Sequence, residues 1–393
     1  MSMTKNEIQS LDKEHIVGTY ARFDLAIDHG KGARCVSVDG KEYIDFTSGI
    51  GVNCLGYCDE GWVKAVTEQV AKLQHCSNLF YSEPQVKVAK ALTERTGLKK
   101  VFFGNSGAEA NEAAIKTARK YGTSNKGENC NKIISLVNSF HGRTMATITA
   151  TGQEHYHKYF TPFLDGFLYC PANDVEALKA LVSEDVCAIM FEMVQGEGGV
   201  LDLDKEFVQA AAEICKANDI LFIVDEVQTG IGRTGKFFAY EYFGIEPDIV
   251  SFAKGIGGGL PLGGTLFGEK TCDVLTAGDH GTTYGGNPVA TAGAAYVLSR
   301  IDDAFLEDVT AKGQYIREKL LASSKVKSVS GLGLMLGIET DSEKSASDIV
   351  KAALEDGLMA LTAKDKIRLL PPLSITYEEI DAGLEILIKA IEG

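Results

Sequence analysis

The chain has 393 residues, enough for two unequal domains sharing a core, and its 45% hydrophobic and 24% charged residues are the balance of a globular protein. A formal charge of 39 − 54 = −15, without a long basic run, excludes nucleic acid as a partner, and no apolar stretch reaches the roughly 18 residues of a membrane span. Nine Cys, at positions 35, 54, 58, 76, 130, 170, 187, 215 and 272, are odd in number and lack C-x-x-C spacing, which points to reduced thiols in a cytoplasmic protein and away from a disulfide frame or a zinc site.

Met1 to Asn6 lead into polar sequence without a signal-peptide core. From Val101 the chain alternates short apolar runs with helix-like segments. Val101–Phe103 precedes Ala108–Lys120, which is rich in Ala, Glu and Lys. Ile133–Val137, the weaker Phe167–Tyr169, and Ala188–Phe191 follow as strands. Phe207–Ala217 is helical in pattern. Ile220–Val224 is wholly apolar, as in a strand buried on both faces. Ile249–Phe252 and Thr265–Phe267 complete the series. The alternation predicts a mainly parallel α/β sheet flanked by helices.

The last hundred residues follow another pattern. Val326–Val329, Leu334–Ile338 and Ile367–Leu370 read as strands around an amphipathic Ala346–Glu355. Thr376 with Glu379 predicts a capping box opening a final helix to Ile391. This is a smaller α+β domain. The expected division is an N-terminal segment 1–45 packing with the small domain, a large domain 46–290, and the small domain 291–393.

Ligands of open α/β sheets sit beyond the C-terminal ends of strands, and four segments with suitable chemistry fall there. Asp225, directly after Ile220–Val224, is a carboxylate suited to a cationic ring nitrogen; a turn cap is the alternative for that residue alone. Lys254 follows Ile249–Phe252 beside apolar residues and Gly255. Lost hydration there lowers the amine's basicity and makes it a nucleophile for an aldehyde. Ser106, Gly107 and Ala108 open the Ala108–Lys120 helix. A helix start with small residues exposes free N–H groups to a phosphate, though plain capping gives the same spacing. Thr282 and Thr283, between glycines and before Pro288, offer further hydroxyls. Phe140 follows Ile133–Val137 and can stack on a ring. A lysine that forms a Schiff base with an Asp on a pyridinium nitrogen is the pattern expected for pyridoxal 5'-phosphate.

Six further motifs lie in a recognisable order: Asn105-Ser-Gly-Ala-Glu-Ala-Asn-Glu-Ala113, Ser139-Phe-His-Gly-Arg-Thr144, Gln195-Gly-Glu-Gly-Gly199, Asp225-Glu-Val-Gln-Thr-Gly230, Ala253-Lys254-Gly255 and Gly285-Gly-Asn-Pro288. With them the chain resembles the class III aminotransferases of fold type I, most closely the acetylornithine aminotransferases, over nearly its whole length. The resemblance implies Lys254 as Schiff-base lysine and proton shuttle, Asp225 on the ring nitrogen and Gln228 near the ring hydroxyl. Gly107 and Ala108, with Ser106, correspond to the phosphate loop, and Phe140 and Val227 belong to the cofactor-binding set. Thr283 corresponds to a phosphate ligand delivered from the second subunit of a homodimer. Arg143 corresponds to the grip on the substrate α-carboxylate, and Thr282 to a substrate contact. Glu197 and Arg368 correspond to a switch pair in which the Glu masks the Arg for one substrate and frees it for 2-oxoglutarate. Bidentate guanidinium–carboxylate pairing makes both arginines chemically apt. The implied reaction is ping-pong transfer of the side-chain amine of N2-acetyl-L-ornithine to 2-oxoglutarate. Other ω-amine donors, namely succinylornithine, 4-aminobutyrate and ornithine, are the alternatives.

The chain departs from the family in places. Glu192-Met-Val-Gln-Gly-Glu197 lacks the usual Pro, so local backbone is expected to differ. Thr282-Thr283 stands where many relatives have Ser-Thr. Ile50 occupies the place of a Tyr in ornithine aminotransferases, which favours an acylated amine or a plain chain over ornithine. Gly331-Leu-Gly333-Leu-Met-Leu-Gly337 has the wrong spacing for a dinucleotide fingerprint. His155-x-His157 lacks a spaced Cys or acidic partner, so it is expected to be a surface pair and no metal site is expected. His141, beside Phe140, is expected either to support a residue of the site from behind or to serve in packing.

Overall fold

A computed structural model describes residues 3–393, so the first two residues of the expected N-terminal segment lie outside the described residues. The alternating runs form a seven-stranded sheet: β1 (Lys100–Gly104), β2 (Lys132–Leu136), β3 (Phe167–Cys170), β4 (Val186–Phe191), β5 (Leu221–Asp225), β6 (Ile249–Phe252) and β7 (Gly263–Phe267). Their spatial order is β1-β7-β6-β5-β4-β2-β3. Only β7 runs against its neighbours, β6 and β1; the other pairings are parallel.

Every residue of β4, β5, β6 and β7 is buried. Period-two alternation divides each of these strands between two cores. Leu221 and Ile223 of β5 join Ala114, Ile115 and Ala118 of the helix Gly107–Asn125. Phe222 and Val224 join Phe207, Val208 and Ala211 of the helix Lys205–Asn218. A continuous apolar run is therefore what a strand between two helical layers requires.

The C-terminal region folds around a four-stranded antiparallel sheet in the order Val326–Leu332, Met335–Thr340, Lys366–Leu369, Leu361–Ala363. The Gly331–Gly337 stretch is the turn of its first hairpin, so no phosphate-binding helix follows it. Helices Asp303–Leu321, Ala346–Glu355 and Tyr377–Glu392 pack beside the sheet. The last has the expected box: Thr376 Oγ1 accepts from Glu379 N (3.2 Å), and Thr376 N donates to Glu379 Oε2 (3.0 Å).

The N-terminal strands Ile27–Lys31, Arg34–Ser37 and Glu42–Asp45 form a second sheet that Leu358–Met359 completes in parallel, with Ile44 opposite Leu358. A local reading misses this, because the partner lies some three hundred residues away. The helix Lys5–His15 buries none of its residues and so carries only a weak apolar signal in the sequence.

Candidate active site

The strand ends β1, β2, β4, β5 and β6 share one edge of the sheet, and their loops carry most of the expected residues. Asp225 ends β5 opposite Ser251 of β6, three residues before Lys254. Lys254 adopts φ 48°, an uncommon conformation for a side-chain-bearing residue. Burial lowers its amine from the ordinary 10.5 to about 8, against opposing fields from Glu197 and Asp225 and with help from Arg368.

Asp225 is a buried carboxylate held by three donors. Its Oδ2 accepts from His141 Nδ1 (2.7 Å) and Asn111 Nδ2 (2.8 Å), and its Oδ1 from Val227 N (3.0 Å). Of the two roles expected for His141, the supporting one is what the geometry displays: it is a hydrogen-bond partner of Asp225, and its own Nε2 is buried without a partner among the described residues. Asn111 went unnoticed in the sequence, although its position one turn into a helix behind the phosphate-type loop was a usable signal.

Ser106 caps the helix Gly107–Asn125 through Glu109 N (3.2 Å). The Glu109 carboxylate takes Asn105 N and not Ser106 N, so the cap is not reciprocal. The first-turn amides of Gly107 and Ala108 have no intrahelical acceptor. Gly107 is required by close approach: a Cβ there would lie 2.5 Å from Val227 Cγ1.

A cleft of about 810 Å3 brings Lys254 together with Phe140, Arg143, Glu197 and Ile50, and adds Tyr20, Met145, Tyr156 and Phe160. Arg143 is exposed and lies 4.1 Å from the Tyr156 ring centroid and 5.6 Å from that of Phe140. No carboxylate among the described residues pairs with it. Ile50 lines the cleft at φ 64°, ψ 48°, which for a β-branched residue costs on the order of 1–3 kcal/mol. The turn is held from below: Asp45 Oδ1 accepts from Thr47 N (2.7 Å) and Ser48 N (3.0 Å), and Ser48 Oγ donates to Leu370 O (2.6 Å).

Arg368 is buried, and its Nη1 meets Glu197 Oε1 at 2.5 Å and Gln228 Oε1 at 3.3 Å. Burial alone would raise the Glu197 carboxyl, but the Arg368 charge and hydrogen bond hold it below its usual value. Gln228 is therefore engaged with the Glu–Arg pair. Glu197 stands in the loop between Val194–Gln195 and Leu201–Asp202, which form a short antiparallel ladder; this is the local backbone of the Pro-less segment. Glu192 accepts from Phe140 N (3.0 Å), and burial together with nearby Asp225 pushes its carboxyl well up.

Thr282 and Thr283 are not brought to this cleft. They line a separate cavity with Ser77, Asn78, Leu79 and His280. The Thr282 hydroxyl accepts from Asn105 Nδ2 (3.0 Å), which ties it to the loop before Ser106. Of the two histidines expected at the surface, His155 is exposed, whereas His157 is half-buried with Nε2 2.8 Å from Ile148 O.

The whole arrangement fits pyridoxal 5'-phosphate. It offers amides for a phosphate, a buried carboxylate restrained by three hydrogen-bond donors, an aromatic face and an amine of reduced basicity. The family model "Aminotransferase class-III" matches residues 18–391. The chain belongs to the class-III aminotransferases. As such it is a pyridoxal-phosphate-dependent transaminase with the α/β architecture expected above. This class-III aminotransferase is 51% identical to the acetylornithine aminotransferase of Haemophilus ducreyi, covering 99% of both chains. It is 44% identical to that of Methanocaldococcus jannaschii, covering 98% of both. Among solved structures, it matches ornithine aminotransferase from Toxoplasma gondii at TM-score 0.94 and 31% identity, covering 100% of this chain and 96% of that one. N-acetylornithine aminotransferase from Stenotrophomonas maltophilia matches at TM-score 0.84 and 34% identity, covering 98% of both.

Proposed function

We propose that the enzyme transfers the side-chain amine of N2-acetyl-L-ornithine to 2-oxoglutarate, yielding N-acetyl-L-glutamate 5-semialdehyde and L-glutamate, a step of arginine biosynthesis. The observation that carries the choice of donor is high identity to acetylornithine aminotransferases over almost the entire chain, supported by an apolar Ile50 in the cleft. The ornithine aminotransferase of Toxoplasma gondii has the higher TM-score at lower identity, so ornithine is the second reading.

In this reading Ser106, Gly107 and Ala108 would hold the cofactor phosphate, Asp225 its ring nitrogen, Gln228 the neighbourhood of its ring hydroxyl, and Phe140 and Val227 its ring. Bound at Lys254, the cofactor supplies a conjugated cationic ring that takes up the electron pair left by proton removal next to the substrate nitrogen. Lys254 Nζ, freed when the substrate amine takes its place on the cofactor, would take that proton and return it one position along; an amine near pKa 8 is suited to both directions close to neutral pH. Asp225, restrained by His141 and Asn111, keeps a proton on the ring nitrogen. Arg143 grips the α-carboxylate of the donor. Glu197 covers Arg368 while the acylated donor is bound, and releases it to the second carboxylate of 2-oxoglutarate. One site then accepts two acids of different length without rebuilding its walls.

The reading includes a homodimer with Thr283 of the partner subunit completing the phosphate site. It is supported by the exposed run Leu79 (88%), Phe80 (68%) and Tyr81 (100%), of which Leu79 and Phe80 border the cavities of Thr283. It places residues 1–45 with the small domain, supported by the Ile44–Leu358 pairing, and the boundary of the large domain near 290. A cytoplasmic location accords with nine free thiols.

A donor panel at fixed 2-oxoglutarate tests the substrate. The expected order of kcat/KM is acetylornithine first, succinylornithine next, ornithine and 4-aminobutyrate far behind. Strong turnover of 4-aminobutyrate without turnover of acetylornithine overturns the choice.

A further inference from the structure

Arg143 is exposed and unpaired by any carboxylate among the described residues. A long side chain in that state loses rotamer freedom on gripping a ligand, and that loss weakens binding. Its preorganisation must come from something other than an ion pair. Tyr156 supplies the surface: the guanidinium carbon lies 4.1 Å from the centroid of its ring, within the distance for cation–π attraction. The same ring meets Phe140 edge-on, with centroids 5.5 Å apart and planes at 64°.

The ring is placed by backbone that belongs to the site. Gly152 N donates to Ser139 Oγ (3.0 Å), and Gln153 Nε2 to Ser139 O (3.0 Å). Asn138 N donates to Gly152 O (2.8 Å), and His157 Nε2 lies 2.8 Å from Ile148 O. Residues 152–157 are therefore stitched at one end to the loop that carries Phe140 and Arg143 and at the other to the helix Met145–Ala150 that follows it. The Tyr156 hydroxyl makes no hydrogen bond among the described residues, so the ring itself, and not its polar tip, is the contacting group.

We propose that Tyr156 is a positioning residue whose ring fixes the Arg143 guanidinium for the donor carboxylate. The proposal rests on the reading of Arg143 as carboxylate grip. It predicts that the ring matters, the hydroxyl does not, and the benefit reaches only ligands bearing the carboxylate.

The test compares holoenzyme variants Tyr156→Phe, Tyr156→Leu and Arg143→Ala on two donors, acetylornithine and N-acetylputrescine, which is the same molecule without the α-carboxylate. Binding of N-acetyl-L-norvaline, which keeps the acylated amino-acid end and lacks the reacting amine, is measured by calorimetry alongside. Tyr156→Phe is expected to stay within about twofold of the parent. Tyr156→Leu is expected to raise KM for acetylornithine and Kd for N-acetylnorvaline roughly three- to thirty-fold, the span from exposed to desolvated cation–π contacts. Its kcat and its KM for N-acetylputrescine should change by less than about threefold, because neither depends on the grip. Equal losses on both donors, or unchanged N-acetylnorvaline binding, overturn the proposal. Loss of donor discrimination in Arg143→Ala but not in Tyr156→Leu refutes the role of Tyr156 alone; retained discrimination in Arg143→Ala overturns the grip itself and the proposal with it.

Discussion

Glu197 Oε1 stands 2.5 Å from Arg368 Nη1, and Gln228 closes the same guanidinium from the side at 3.3 Å. The Arg is buried and the Glu is partly open to the cleft. A charge pair with one buried member is asymmetric: removing the Glu leaves an uncompensated cation, whereas a ligand carboxylate can replace it.

Glu197→Gln should consequently weaken the acylated donor more than 2-oxoglutarate. The expected outcome is a rise of about tenfold in KM for acetylornithine and a change of less than about threefold for 2-oxoglutarate, the difference corresponding to roughly 1 kcal/mol of preference. Initial rates with each substrate varied in turn check it. Equal shifts for both substrates would argue against a switch.

Lys254→Ala should abolish turnover, with kcat falling by at least about 10^4, since the proton transfer and the covalent anchor are lost together. The spectrum should change as well: a band at roughly 420 nm that bleaches on adding donor in the parent should be missing from the variant. Full activity in Lys254→Ala would falsify the mechanism.

Capture of pyridoxal phosphate by cofactor-free protein needs the neutral amine of Lys254. Its value near 8 means that the neutral fraction grows as pH rises towards 8 and levels off above it. Stopped-flow capture rates between pH 6.5 and 9.5 should show an inflection near 8. A rate still climbing steeply beyond pH 9 is the contrary result.

Glu226 is buried beside Asp225 and accepts from Tyr240 N (2.9 Å) and from the Thr229 hydroxyl. Burial raises its carboxyl from 4.5 to about 7. The folded state therefore holds a proton that the unfolded state releases between these values. Its contribution to stability is complete below pH 4.5 and is lost as pH rises through 7, on the order of 3 kcal/mol at most. Glu226→Gln cannot ionise, so parent minus variant stability in urea should fall between pH 5 and pH 8. A pH-independent difference would show that the carboxyl is ionised throughout.

Gly107→Ala should weaken cofactor binding through its clash with Val227, whose Cγ1 lies 2.5 Å from the added carbon. Val227→Ala in the same chain should restore much of the loss, giving a coupling of roughly 1 kcal/mol or more between neighbours. Fluorescence titration of the cofactor-free variants with pyridoxal phosphate measures it.

Local sequence determined where the sheet strands run and where they stop. Runs such as Leu221–Val224 and Ile249–Phe252 must be buried on both faces, and a polar residue at their ends must face the ligand edge. That is why Asp225, Lys254 and the helix start at Gly107 were legible, whereas Arg143, Glu197 and Arg368 were singled out only by the family resemblance. Tertiary structure decided which of these side chains meet. The His141–Asp225 bond joins residues 84 positions apart, Gln228 turned to the Glu197–Arg368 pair, and Leu358–Met359 closed the N-terminal sheet. It also carried Thr282 and Thr283 to another cavity and laid Tyr156 under Arg143. Periodicity and capping are written over a few neighbouring residues. Contacts across loops depend on how packed layers bring distant segments together, and no local pattern encodes that.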